Sequence, residues 1–251
     1  MALHLAAYGQ SVDLATVLTA INAVQDQAVT TSGADVRVPK ALPYLVGQAA
    51  LCGNTTPSRA QIQAPSLRGL LNVDVEPLVA AVVFGSPPES ILHADAPIPL
   101  TPDESLNFAL QATGGAATQN YGLLWLADGA LKSVSGPIYS VRCTSACSLS
   151  ADVWVNGNLT FAQTLPAGTY QVVGMRSRGT NLVASRLVFV GSPWRPGVPA
   201  VNALGDLDPQ SFRYGAAGVF GQFDSTQPPT IECLGVTDSS QTHILDLVKI
   251  R

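Results

Sequence analysis

Ser148-Leu149-Ser150-Ala151-Asp152-Val153-Trp154-Val155-Asn156-Gly157-Asn158-Leu159-Thr160-Phe161 is the stretch on which the fold turns. Leu149, Ala151, Val153 and Val155 fall on one side of an extended chain, and Ser148, Ser150 and Asp152 on the other. That is the period-2 pattern of a half-buried strand. Leu159, Phe161 and Leu165 then alternate with Asn158, Thr160 and Thr164. Asn156-Gly157 between the two runs predicts a tight hairpin, because both central residues of a type I′ turn need positive φ. Leu165-Pro166-Ala167-Gly168 predicts the next turn, with Pro presetting φ. Residues 169–176 run out, 177–181 turn and 182–190 return.

The same signals continue on both sides. Upstream, residues 71–76, 78–84, 91–100, 123–127, 131–134 and 138–143 read as strands, and 231–236 and 244–250 close the chain. Thr101-Pro102-Asp103-Glu104 has the form of a helical capping box. Leu106, Phe108 and Leu110 nevertheless alternate with Ser105, Asn107 and Gln111, so a strand is expected there. About ten to twelve short strands with turn signals between them predict an all-β fold, an antiparallel β-sandwich. Helix is expected only over residues 11–29, where Val12, Leu14, Val17, Leu18, Ile21 and Val24 keep helical spacing behind Ser11 as N-cap. Four prolines interrupt residues 33–70. The expected division is therefore an N-terminal arm over 1–70, one helix and an irregular connector, ahead of a sandwich over 71–251.

Charged residues make up 12% of the 251 residues, and the net charge is −4, against a usual charged fraction of about 25%. Residues 1–70 carry Arg37, Lys40, Arg59 and Arg68 against Asp13, Asp26 and Asp35. No basic arm is present to neutralise phosphates, so direct nucleic-acid binding is not expected. The longest apolar run, residues 78–84, is far short of a membrane span. A surface this poor in charge instead suits a chain largely covered by copies of itself. Candidate interface residues are Val17, Leu18 and Ile21 on the helical stripe, with Trp194 and Arg195 in the proline-rich loop 191–199. Trp and Arg are enriched at interface centres, although a Trp folded back over the end of its own sandwich is the simpler reading.

Chemistry is sparse. Cys143 and Cys147 would lie roughly 13 Å apart on one strand, too far for a disulfide, so with Cys52 and Cys233 they read first as buried thiols. A bridge through a turn at 144–146 and a metal site are the alternatives. His4, His93 and His243 have no ligand-spaced partner, and no G-x-S-x-G elbow occurs. The glycines of residues 215–221 lack the context of a phosphate loop. The acid pairs Asp103/Glu104 and Asp206/Asp208 read as solvated turns. No catalytic, metal or cofactor site is expected, and the chain does not read as an enzyme.

The run of hairpins over 121–190, the apolar N-terminal segment, the low charge and the phrase Leu165-Pro166-Ala167-Gly168-Thr169-Tyr170 resemble the jelly-roll coat proteins of icosahedral viruses and phages. The resemblance spans residues 70–250 in pattern. It implies a jelly-roll sandwich, self-assembly into a virion shell after synthesis in a host cytoplasm, and contact with other virion proteins or an underlying membrane. The missing basic arm departs from many small-virus coats. The alternatives are a carbohydrate-binding or adhesion sandwich, with Trp125, Trp154 and Trp194 as sugar platforms, and, more remotely, an enzyme on the same scaffold.

Overall fold

Leu3, Leu5 and Ala7 face one hydrophobic core, and Ala6 and Tyr8 face another. A strand apolar on both sides is one covered on both sides, and this strand, β1 (Leu3–Val12), begins a chain of two stacked β-sandwiches. The computed structural model describes every residue except 1, 55–57, 70, 80–87, 89, 115, 202–203 and 205–211. After β1 come β2 (Thr19–Ala20), β3 (Thr31–Ser32), β4 (Asp35–Arg37), β5 (Tyr44–Cys52) and β6 (Arg59–Gln63). A single turn of helix, α1 (Pro65–Arg68), precedes β7 (Val73–Val75), β8 (Leu78–Val79), β9 (Ser90–Leu92), β10 (Ile98–Pro99), β11 (Ser105–Gln111) and β12 (Thr118–Ala127). The second sandwich contains β13 (Tyr139–Ser145), β14 (Val155–Gly157), β15 (Thr160–Phe161), β16 (Thr169–Arg178) and β17 (Leu182–Val188). It ends with β18 (Gly197–Pro199), β19 (Gly221–Asp224), β20 (Thr230–Gly235) and β21 (Gln241–Lys249).

In the first sandwich one sheet runs β1-β12-β5, with β9 and β10 along the outer edge of β5 and β8 beside them. The facing sheet runs β4-β11-β6-β7, with β2 end to end with β4. In the second, β13-β21-β16-β19 faces β14-β20-β17-β18, and β15 borders β13. Among the described residues the strand pairings are antiparallel except β5 with β8, and one isolated parallel bridge joins Ser177 to Ala200. Taking β9 and β10 as one strand and leaving out the short flanking ones, each sandwich has eight principal strands among the described residues. Both then show the same order: first, eighth, third, sixth in one sheet, and second, seventh, fourth, fifth in the other.

The two sandwiches stack. The β1-β12-β5 sheet packs inward on β11 and β6 through Tyr8, Leu124 and Phe108. Its other face packs on the β14-β20-β17-β18 sheet through Leu5, Tyr121 and Trp125. Gly197 is needed at this contact: a Cβ there would stand 2.8 Å from the Leu5 side chain and 2.5 Å from the Ser185 carbonyl.

Several sequence expectations are corrected. Residues 11–29 form no helix. Their spacing is helical, but Val12, Thr16, Val17, Thr19, Ile21 and Val24 are β-branched, which lowers helix propensity, and the open edge of β1 offers a better use for their backbone. Gly9 N–H donates to the Asn22 carbonyl, and Val24 N–H to the Ala7 carbonyl, both at 2.9 Å. Residues 1–70 are accordingly not an arm, since β1, β4, β5 and β6 are integral to the first sandwich. Strand structure in the opening stretch starts only at Val155, and Asn156-Gly157 is no turn. Asn156 pairs with Glu232 and Gly157 with Ile231 inside β14, and β15 then joins the opposite sheet. Of the turn expected over 177–181, residues 177 and 178 still belong to β16, and 179–181 arch from one sheet to the other, because β16 and β17 are not neighbours in one sheet. The strand expected over 106–111 is present as β11. Its cap-like prelude closes as a turn, with Thr101 N–H donating to Glu104 Oε1 at 2.8 Å and Asp103 at φ 65°. Of the expected strand 78–84, residues 80–84 lie outside the described residues, as do Asp206 and Asp208.

Gly157 matters through packing rather than φ: a Cβ there would stand 2.6 Å from Cys147 Sγ. Gly157→Val is expected to cost roughly 1–3 kcal/mol by overpacking. A double-mutant cycle in urea unfolding should find that Cys147→Ala relieves part of the penalty of Gly157→Ala. Strict additivity would contradict this origin.

Candidate functional site

Where the two sandwiches meet, charged side chains sit in an otherwise apolar layer. Arg186 lies mid-strand in β17, opposite Glu232 of β20. Because successive strand residues alternate, Ser185 turns into the second sandwich and Arg186 out of it, toward the first. Its Nε donates to Glu232 Oε2 at 2.5 Å. Its Nη1 donates to the Leu5 carbonyl at 3.0 Å and also to Asp26 Oδ2. The guanidinium lies 4.0 Å from the Trp154 ring centroid. Arg186 is 1% exposed and the Asp26 side chain 2%, so this is a desolvated bridge between the halves.

His4 extends the network. Arg195 N–H donates to His4 Nδ1 at 3.2 Å, which leaves Nε2 to carry the proton and donate to Asp26 Oδ2 at 3.2 Å. Burial pushes the His4 imidazole below its ordinary value and opposes the pull of Asp26. Burial alone would raise the Asp26 carboxyl, but His4 and Arg186 hold it well below the usual carboxylate range. With His4 neutral, the charge on Asp26 is balanced chiefly by Arg186. Arg195 Nε lies 3.9 Å from Glu232 Oε1, so two cations face two anions.

Both depressed values act in the same direction. A histidine held neutral in the fold contributes stability that is complete above pH 6.5 and falls as the unfolded chain takes up protons below it. Asp26 adds a further loss below its unfolded value of about 4. His243, pushed down to about 3 by burial, adds to the decline that begins at pH 6.5. Urea unfolding is expected to show stability falling steadily from pH 6.5 to 4. A profile flat down to pH 5 would contradict a neutral buried His4.

The residues singled out from sequence are dispersed. Trp194 stands edge-on to His4 with centroids 6.1 Å apart, and the Leu5 N–H donates to the Arg195 carbonyl at 2.9 Å, so this loop folds back onto β1. Val17 is 68% exposed and Leu18 half-buried. Ile21, expected at an interface, is fully buried, with its N–H on the Phe108 carbonyl. The three tryptophans are engaged internally. Trp125 is fully buried and donates from Nε1 to the Gly197 carbonyl at 2.8 Å. Trp154 lies under Arg186, and Trp194 against His4.

A second polar cluster lies inside the second sandwich. Ser145 Oγ is 2.9 Å from His243 Nε2, and Ser177 Oγ is 2.8 Å from Nδ1. A serine against an imidazole can serve nucleophilic chemistry. Here both ring nitrogens are taken up by hydroxyls in a sealed core, with His243 fully buried. Gly215 and Gly218, at φ 78° and 80°, turn the chain against Val134 and Val173. Among the described residues, no group of three His, Cys, Asp or Glu side chains could hold a metal ion, and no helix is long and apolar enough to cross a membrane. No family model, curated protein or solved structure matches the chain.

Proposed function

We propose that this chain is a structural subunit of a virion shell, built as two jelly rolls in tandem. The observation that carries the reading is the strand order. Eight strands in the order first-eighth-third-sixth facing second-seventh-fourth-fifth are what two interlocked Greek keys would give, the jelly-roll arrangement found in viral coats, lectins and cupins, and that order occurs twice among the described strands. Three further features favour the coat over the other two. Apolar side chains fill most of both sandwich interiors, the Ser145–His243–Ser177 cluster excepted. The tryptophans that would form sugar platforms are used within the chain. The surface is poor in the charge that keeps monomers apart. A buried ionic junction between the jelly rolls makes each chain one rigid block, as repeated packing into a closed shell requires. The partners are other copies of this chain and further virion proteins.

Electron microscopy of the chain expressed by itself tests this reading. The expected result is closed particles of uniform diameter, or the symmetric rings from which they are built. Single dispersed chains that bind an immobilised glycan would favour the adhesion module instead.

A further inference from the structure

We propose that Cys147 and Cys233 are a redox-active dithiol that closes to an intramolecular disulfide inside the second sandwich, whether or not the chain builds a shell. All four cysteines are buried free thiols, but these two share one patch. Cys233 faces inward from β20, opposite Val155 of β14 and Ser185 of β17. Gly157 lies two residues beyond Val155 on the same side of β14, and the Cys147 thiol fills the notch its missing side chain leaves, 2.6 Å from where a Cβ would be. That sets the two cysteine side chains side by side on a cross-strand diagonal. The Cys147 backbone is pinned there by Gln241, whose Oε1 accepts its N–H and whose Nε2 donates to its carbonyl, both at 2.9 Å. Ser145 Oγ is 3.8 Å from Cys147 Sγ.

The pair is also chemically asymmetric. The hydrogen bond from Cys233 brings the Cys147 thiol down to about 7, while Cys233 is held up. Burial pushes Cys143 up to about 12 and also raises Cys52. Cys147 is therefore the nucleophile. A small oxidant such as hydrogen peroxide reaches this closed site when the edge strand β14 opens locally. The Cys147 thiolate attacks one peroxide oxygen, the O–O bond breaks, and hydroxide leaves and takes a proton to become water. The Cys233 sulfur, losing its proton, then attacks the sulfur of the Cys147 sulfenic acid, and a second water departs. Two electrons have passed from the thiols to peroxide, and an S–S bond ties the segment after β13 to β20.

The test is peroxide treatment of the full native chain, followed by unfolding, alkylation and non-reducing peptide mapping. The expected product has lost the mass of two hydrogens, joins the Cys147 and Cys233 peptides, leaves Cys52 and Cys143 alkylated, and reverts with dithiothreitol. Closing so long a loop should raise Tm by roughly 5–15 °C. Cys233→Ser should abolish the linkage and let Cys147 oxidise on to the sulfinic acid. Cys52→Ala with Cys143→Ala should retain the linkage. Four alkylatable thiols after treatment, oxygen added to native Cys147 without a linked peptide, or linkage between chains would each overturn the proposal.

Discussion

Arg186→Leu is expected to lower stability by about 3–5 kcal/mol in urea unfolding, one of the two largest single-site effects in the protein. The substitution keeps bulk in β17 but strands Asp26 and Glu232 in a layer where neither reaches water. Buried ions attract strongly, but desolvation opposes that attraction, so the cost of breaking the network comes chiefly from the charges left behind. A rescue is expected on the same ground. Arg186→Leu combined with Asp26→Asn should recover much of the loss, because the remaining Glu232 still faces Arg195. Arg186→Lys should not, since one ammonium cannot span Glu232, Asp26 and the Leu5 carbonyl as the guanidinium fork does. If Arg186→Leu costs under about 1 kcal/mol, the junction is solvated and the bridge is decorative.

Trp125→Ala should cost a comparable 3–5 kcal/mol. The indole is fully buried between the two sandwiches, 5.1 Å from the Phe212 ring by centroid, and packs close to the Gly47 backbone. Its removal leaves a cavity in a layer shared by two rigid sheets, which cannot collapse to fill it. The Gly197 carbonyl also loses the Nε1 donor. Trp125→Phe separates the two contributions: it restores most of the volume but not the hydrogen bond, so about 1–3 kcal/mol should remain. Equal losses for Ala and Phe would place the energy in the hydrogen bond rather than in packing.

The β class was legible because alternation and turn chemistry are local. The two-sandwich architecture was not. Leu3-His4-Leu5-Ala6-Ala7-Tyr8 is a strand covered on both faces, and such strands lose the period-2 signature. The helical spacing of the next segment was then the louder signal, although what decides its conformation is the free edge of β1. The repeated strand order has no counterpart in repeated residues, since topology is set by which strands pair and not by their side chains. Asn156-Gly157 misled because an Asn-Gly pair specifies a hairpin only if the flanking strands stay in one sheet, and β14 and β15 part to opposite sheets. The junction did leave a trace. Arg186 is the single charged residue in the run 182–190, Glu232 lies between Ile231 and Cys233, and His4 between Leu3 and Leu5. In a chain with so little charge, single ionisable residues inside strands signal buried partners, but not which partners. Asp26, in a loop 22 residues from His4, could be paired only in three dimensions.

The measurement that bears most directly on the shell-subunit reading is the mass of the native species, by light scattering across protein concentration, pH and ionic strength. An assembly many times the 26.1 kDa chain mass is expected, disfavoured as the pH falls through the range in which His4 and Asp26 destabilise the fold. A single 26.1 kDa species under every condition would rule out a shell subunit.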